Sequence, residues 1–167
     1  MGSRAGRVLI RTHGNGRQTP HLAAARSVHC VSPHFDTPPS GSALMRTILV
    51  VDDSPTMRRM IMASLRELRD VEFDQASSGL EAIERLAVAR VDLVVLDLNM
   101  PDVHGLEVLR FVRSHDRFRT LPVVVLTTRG DEESRTTALG AGATRYLTKP
   151  FQPTALVPEI RSLLDAV

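Results

Sequence analysis

Three short runs of this chain are apolar at every position: Ile48-Leu49-Val50-Val51, Leu93-Val94-Val95-Leu96 and Val123-Val124-Val125-Leu126. Runs this short, with no polar alternation, read as strands covered on both faces, as in a parallel sheet. Residues 71–76 (Val-Glu-Phe-Asp-Gln-Ala) alternate instead, as a strand at a sheet edge does. Between the runs the apolar spacing changes to three and four. Met57, Met60, Ile61, Ser64, Leu65 and Leu68 fall on one helical face. Leu80, Ile83, Leu86 and Ala87 form a second such face; Leu106, Leu109 and Val112 a third; Leu156, Ile160, Leu163 and Leu164 another.

The polar punctuation sets the boundaries. Ser54 is a natural N-cap with Pro55 at the first helical position, and Pro153 opens the last helix in the same way. Asp131, Glu132 and Glu133 favour a helix N-terminus, and Gly140-Ala141-Gly142 ends that helix. The expected strands are 46–52, 71–76, 91–97, 123–127 and about 143–148. The expected helices start at Pro55, cover about 80–89, run from after Gly105 to about His115, and cover 130–139 and 153–165. Five strands alternating with five helices define an α/β fold. Right-handed crossovers place helices on both faces of a parallel sheet. No second domain is expected after the fifth helix.

Ligands of open parallel sheets collect at the carboxyl ends of the strands. Here those ends carry chemistry. The first strand runs into Asp52-Asp53 and the third into Asp97. The fourth runs into Thr127-Thr128 and the fifth into Lys149-Pro150. Two acids, a hydroxyl and an ammonium therefore converge on the carboxylate of Asp97.

Composition sharpens this picture. Of 21 basic residues, Lys149 is the only lysine. A compact point charge on a flexible stem differs from the wide planar fork of arginine, so its retention at a strand end points to a specific need. The net charge of +2 is unevenly distributed: residues 1–44 hold five arginines and one acid, and residues 45–167 hold sixteen basic and eighteen acidic residues. The globular part lacks the basic excess of a nucleic-acid binder. Cys30 is the only cysteine, so no internal disulfide can form, and a reducing cytoplasm is the expected location. No apolar run approaches the ~20 residues of a membrane span.

Residues 1–44, rich in Gly, Ser, Pro, Thr, His and Arg, are expected to be a disordered basic arm. A basic tail and a transit peptide both fit that composition. The favoured expectation is an over-extended reading frame, because Met45 stands directly before the first strand.

Residues 45–167 resemble the receiver domain of two-component response regulators. The ordered set of Asp52-Asp53, Asp97, Thr127 and Lys149-Pro150 carries the resemblance. The stretches Val51-Asp52-Asp53-Ser54-Pro55-Thr56-Met57-Arg58-Arg59 and Leu98-Asn99-Met100-Pro101 make it most similar to the single-domain chemotaxis type. The resemblance implies a flavodoxin-like sheet in the order 2-1-3-4-5. It implies that Asp97 accepts a phosphoryl group from a histidine kinase or a small acyl phosphate, forming an aspartyl-phosphate. It implies Mg2+ held by Asp53 and Asp97 directly, by Asp52 mainly through water, and by the backbone carbonyl of Asn99. Mg2+ and Lys149 would hold the phosphoryl oxygens, with the Thr127 hydroxyl and the backbone N–H of Thr128 assisting. Thr127 and Tyr146 would form the switch that alters the surface of the fourth helix, fifth strand and fifth helix. A cis Lys149–Pro150 peptide is expected too. The chain would thus be a signalling switch that catalyses only its own phosphorylation and dephosphorylation.

Two positions depart from the family. His104 stands before Gly105, where Asp or Asn is usual, and it is a weaker N-cap. Arg129 and Asn99 occupy the rim positions at which the family varies its dephosphorylation rate; Arg129 is expected to change access of the attacking water. The expected partners are a histidine kinase and a protein target such as a flagellar motor switch component or a phosphotransferase. A phosphorelay or kinase-regulating role, and a receiver-like module that is never phosphorylated, are the alternatives. A haloacid-dehalogenase-type phosphatase would need an acid at Asn99 and a cap insertion. A flavin binder would not place Asp52-Asp53 in its phosphate loop.

Overall fold

The structure is a computed structural model and describes residues 45–101 and 103–166. The basic arm lies outside the described residues. The elements follow in the order β1 (Arg46–Val51), α1 (Pro55–Ser64), β2 (Val71–Ala76), α2 (Gly79–Val88), β3 (Leu93–Leu96), α3 (Gly105–Ser114), β4 (Val123–Thr127), α4 (Glu132–Gly140), β5 (Arg145–Thr148) and α5 (Pro153–Asp165). A single 3-10 turn, Asp116–Phe118, precedes β4; the apolar pattern gave no sign of it. All strands are parallel, in the order β2-β1-β3-β4-β5. The alternating strand β2 is at the edge and the strands that carry the apolar runs, β1, β3 and β4, are central, as the patterning requires.

The sheet separates two apolar layers. Leu49, Val51, Val94, Leu96, Val123 and Val125 face the layer of α2 and α3. Ile48, Val50, Leu93, Val95, Val124 and Leu126 face the layer of α1 and α5. Successive residues of one strand thus serve opposite cores, which is why the runs 48–51, 93–96 and 123–126 have no polar position, while Arg46, Thr47 and Thr127 stand at strand ends.

Several boundaries and faces differ from the sequence expectation, each for a physical reason. β3 begins at Leu93 because the buried carboxylate of Asp92 is taken by the backbone N–H of Thr47, at 2.9 Å. α4 begins at Glu132, after Gly130 and Asp131, because the Asp131 side chain accepts from the backbone N–H of Ser134 and is itself the cap. The inward stripe runs from half-buried Met57 and buried Ile61 in α1 to buried Leu65 and half-buried Leu68 just beyond it, which leaves Met60 exposed. The buried stripe of α2 is Gly79, Ala82 and Leu86, so Leu80 and Ala87 are exposed. Gly79 sets that rotation: a Cβ there would come within 2.8 Å of Val108 and 2.6 Å of the Val103 carbonyl.

The caps follow the sequence closely. Ser54 accepts from Met57 and Ser78 from Glu81. His104 makes no side-chain cap bond, in keeping with its weak capping chemistry.

Candidate functional site

Strand register brings the expected residues together. Val51 of β1 is paired with Leu96 of β3, so the next residues, Asp52 and Asp97, lie side by side where both strands end. Thr127 of β4 is paired with Thr148 of β5, so Lys149 leaves the sheet next to Thr127. The Asp97 N–H donates to the Val51 carbonyl at 2.9 Å and the Lys149 N–H to the Thr127 carbonyl at 2.7 Å. The Lys149–Pro150 peptide is cis, as expected.

The Lys149 ammonium donates to Asp52 Oδ2 at 2.5 Å and to Asp97 Oδ2 at 2.7 Å. All three side chains are buried, at 6%, 1% and 5% exposure, so the contacts are shielded from bulk water. The other carboxylate oxygens are also held. Asp52 Oδ1 accepts from the Ser54 N–H at 2.8 Å, and Asp97 Oδ1 from the Asn99 N–H at 3.0 Å. Asp53 is exposed.

Asp52, Asp53 and Asp97 each offer an oxygen, and these atoms lie within 4.8 Å of one another. Three carboxylates and one ammonium leave a charge of −2 at the strand ends. Hard oxygen donors with that residual charge fit a divalent cation such as Mg2+.

A chain of hydrogen bonds crosses the mouth of the site. Asn99 Nδ2 donates to Thr128 Oγ1 at 2.6 Å, and Arg129 Nε donates to Asn99 Oδ1 at 2.9 Å. The Arg129 N–H donates to Thr127 Oγ1 at 3.4 Å, and the Tyr146 hydroxyl to the Arg129 carbonyl at 2.7 Å. Tyr146 is 8% exposed, more buried than an edge residue with a wet hydroxyl would be. Burial, and secondarily the negative charge of Asp131, pushes its phenol up from the ordinary value.

Two contributors escaped the sequence reading. A Cβ at Gly105 would lie 2.3 Å from the Asp97 carbonyl oxygen, so α3 can start against the end of β3 only with glycine there. Arg58 Nη1 donates to the Asp52 carbonyl at 2.7 Å. A glycine opening a helix beside the site loop was the available hint of the first; for the second there was only the Arg58-Arg59 pair itself.

A family model described as the response regulator receiver domain matches residues 48–161. The chain is 41% identical over 118 residues to chemotaxis protein CheY1 of Helicobacter pylori, a match covering 70% of this chain and 95% of that one. It is 37% identical over 118 residues to the chemotaxis protein CheY homolog of Campylobacter jejuni, with 70% and 91% covered. Among solved structures, chemotaxis protein CheY4 of Vibrio cholerae superposes with a TM-score of 0.66 at 33% identity, covering 71% of this chain and 98% of that one. The chain belongs to the response regulator receiver family. Within it, the chain stands close to the CheY-type chemotaxis members. Receiver domains generally bind Mg2+ at an acidic pocket, and Asp52, Asp53 and Asp97 form an acidic cluster in this chain.

Proposed function

We propose that this chain is a phosphorylation switch whose phosphoryl acceptor is Asp97. One observation carries the reading: a single buried lysine bridges Asp97 and Asp52 at the strand ends, with Thr127 beside it. A carboxylate oxygen of Asp97 attacks the phosphorus of a phosphohistidine on a partner kinase. The P–N bond breaks, its electron pair stays on the imidazole nitrogen, and that nitrogen takes a proton. The product is the mixed anhydride of the Asp97 side chain.

The residues divide the work by chemistry. Asp52, Asp53, Asp97 and the backbone carbonyl of Asn99 would hold Mg2+, which supplies positive charge for an incoming phosphoryl group. Lys149 keeps its ammonium on Asp97 and turns it toward the phosphoryl oxygens. The Thr127 hydroxyl accepts only the long bond from Arg129, so its proton is available to a phosphoryl oxygen. If Thr127 moves toward Asp97, the β4–α4 loop that carries Arg129 follows. Tyr146, hydrogen-bonded to that loop, is thereby coupled to the α4–β5–α5 surface. A motor-switch component is the proposed reader of that surface, because the relatives named above are chemotaxis proteins.

The Asn99–Arg129 contact closes one approach to Asp97 and slows attack by water on the anhydride. The test is transfer from a radiolabelled autophosphorylated histidine kinase. The parent takes up label and Asp97→Ala does not, and Arg129→Ala shortens the phosphoryl lifetime. Equal labelling of Asp97→Ala would remove the reading, and an unchanged lifetime would remove the role of Arg129.

A further inference from the structure

Arg58 lies in the first turn of α1, yet its guanidinium serves other elements. Nη1 donates to the Asp52 backbone carbonyl at 2.7 Å, and Nε donates to Gln75 Oε1 at 3.1 Å. Gln75 belongs to β2 and is paired with Val50 of β1. One side chain therefore ties α1 and the edge strand to the turn that carries the acid pair.

The turn is closed from within by the Ser54 N–H on Asp52 Oδ1, and Arg58 is the side chain that holds the Asp52 carbonyl from outside. Both carboxylate oxygens of Asp52 are already occupied, by the Ser54 N–H and by Lys149. Asp53 is exposed, so the direction of its carboxylate follows from the backbone of the turn. The two contacts of Lys149 go to Asp52 and Asp97 and do not hold Asp53.

We propose that Arg58 is a positioning residue that braces the Asp52-Asp53 turn so that both carboxylates face one divalent cation. The inference rests on the metal reading given above and adds a residue outside the ligand set. Charge and positioning predict opposite effects. A guanidinium held on the Asp52 carbonyl repels a divalent cation bound by the neighbouring carboxylates, so removing a mere charge would tighten binding. Removing a brace loosens binding, as loss of an outer-shell partner of metal ligands does.

The experiment is calorimetric titration of the full chain with MgCl2, for the parent, Arg58→Ala and Arg58→Lys, without any phosphodonor. Arg58→Ala is expected to weaken Mg2+ binding by about tenfold. Arg58→Lys, which keeps the charge but reaches only one of the two acceptors, is expected to fall between that variant and the parent. Unchanged or tighter binding by Arg58→Ala would overturn the proposal. Should Arg58→Ala fail to fold, Gln75→Leu removes the other end of the brace from an exposed position. Its Mg2+ affinity is then expected to drop, and an unchanged affinity overturns the proposal. A parent that binds no Mg2+ would refute the metal reading itself, a result distinct from failure of the brace.

Discussion

Lys149 bridges two buried carboxylates at the ends of β1 and β3 and offsets part of their charge. Lys149→Met keeps most of the apolar stem and deletes the charge. It is expected to destabilise the fold by about 3 kcal/mol, the usual cost of leaving a buried partner unpaired. Added MgCl2 is expected to raise the thermal midpoint of the variant more than that of the parent, because a cation in the acidic cluster takes over part of the missing charge. Equal shifts in both would mean that the lysine does not offset the carboxylates. Tyr146 is the other residue with a measurable electrostatic signature. The chain has no tryptophan and one tyrosine, so phenolate absorbance reports this side chain alone. Burial raises its phenol above the ordinary value of 10.0. The stability from the neutral buried form is complete below the unfolded value and is lost as pH rises through the higher folded one. The midpoint of the absorbance titration is therefore expected above that of free tyrosine; a midpoint at or below it would place the ring in water.

At the scale of elements, α5 contains the clearest unresolved conflict between local propensity and fold. Pro158 sits inside the helix, where it has no N–H to give the Thr154 carbonyl, and it is exposed. Buried Leu156, Val157, Ile160, Leu163 and Leu164 hold α5 to the sheet regardless. Pro158→Ala restores the bond but loses the rigidity that proline gives the unfolded chain, so a net gain of about 1 kcal/mol in urea unfolding is expected. A loss would show that the proline is accommodated by a local geometry that alanine cannot keep. The same element shows how far sequence patterning reaches. Its bounds and inward face were legible because one strong apolar stripe decided both. In α2 the stripe was misread because the contact that fixes its rotation is a glycine, and glycine carries no hydrophobic signal. In α1, Met60 shares helical spacing with the expected face, yet burial follows Met57, Ile61 and Leu65 and leaves it exposed. Capping chemistry was legible at Ser54 and misplaced at α4, whose start was expected at Gly130 and is set at Glu132 by the Asp131–Ser134 bond.

For the whole molecule, Asp52, Asp97 and Thr127 were legible as candidates because each stands where an apolar run stops, and Lys149 as the single lysine at a strand end; strand register then makes these positions neighbours. The contacts that tie loop to loop were not, since Asn99, Thr128, Arg129 and Tyr146 meet only after β3, β4 and β5 are aligned. The resulting molecule is a sheet with one chemically loaded edge. Among the described residues no helix is long and apolar enough to cross a membrane. The central claim is that this edge accepts a phosphoryl group on Asp97. The most direct test is the intact mass of the full chain after incubation with acetyl phosphate and MgCl2, with Asp97→Ala alongside. The account predicts one added phosphoryl group on the parent, none on the variant, and none on the parent when EDTA replaces MgCl2. No added group on the parent with acetyl phosphate or a cognate kinase, or equal addition to Asp97→Ala, would contradict it.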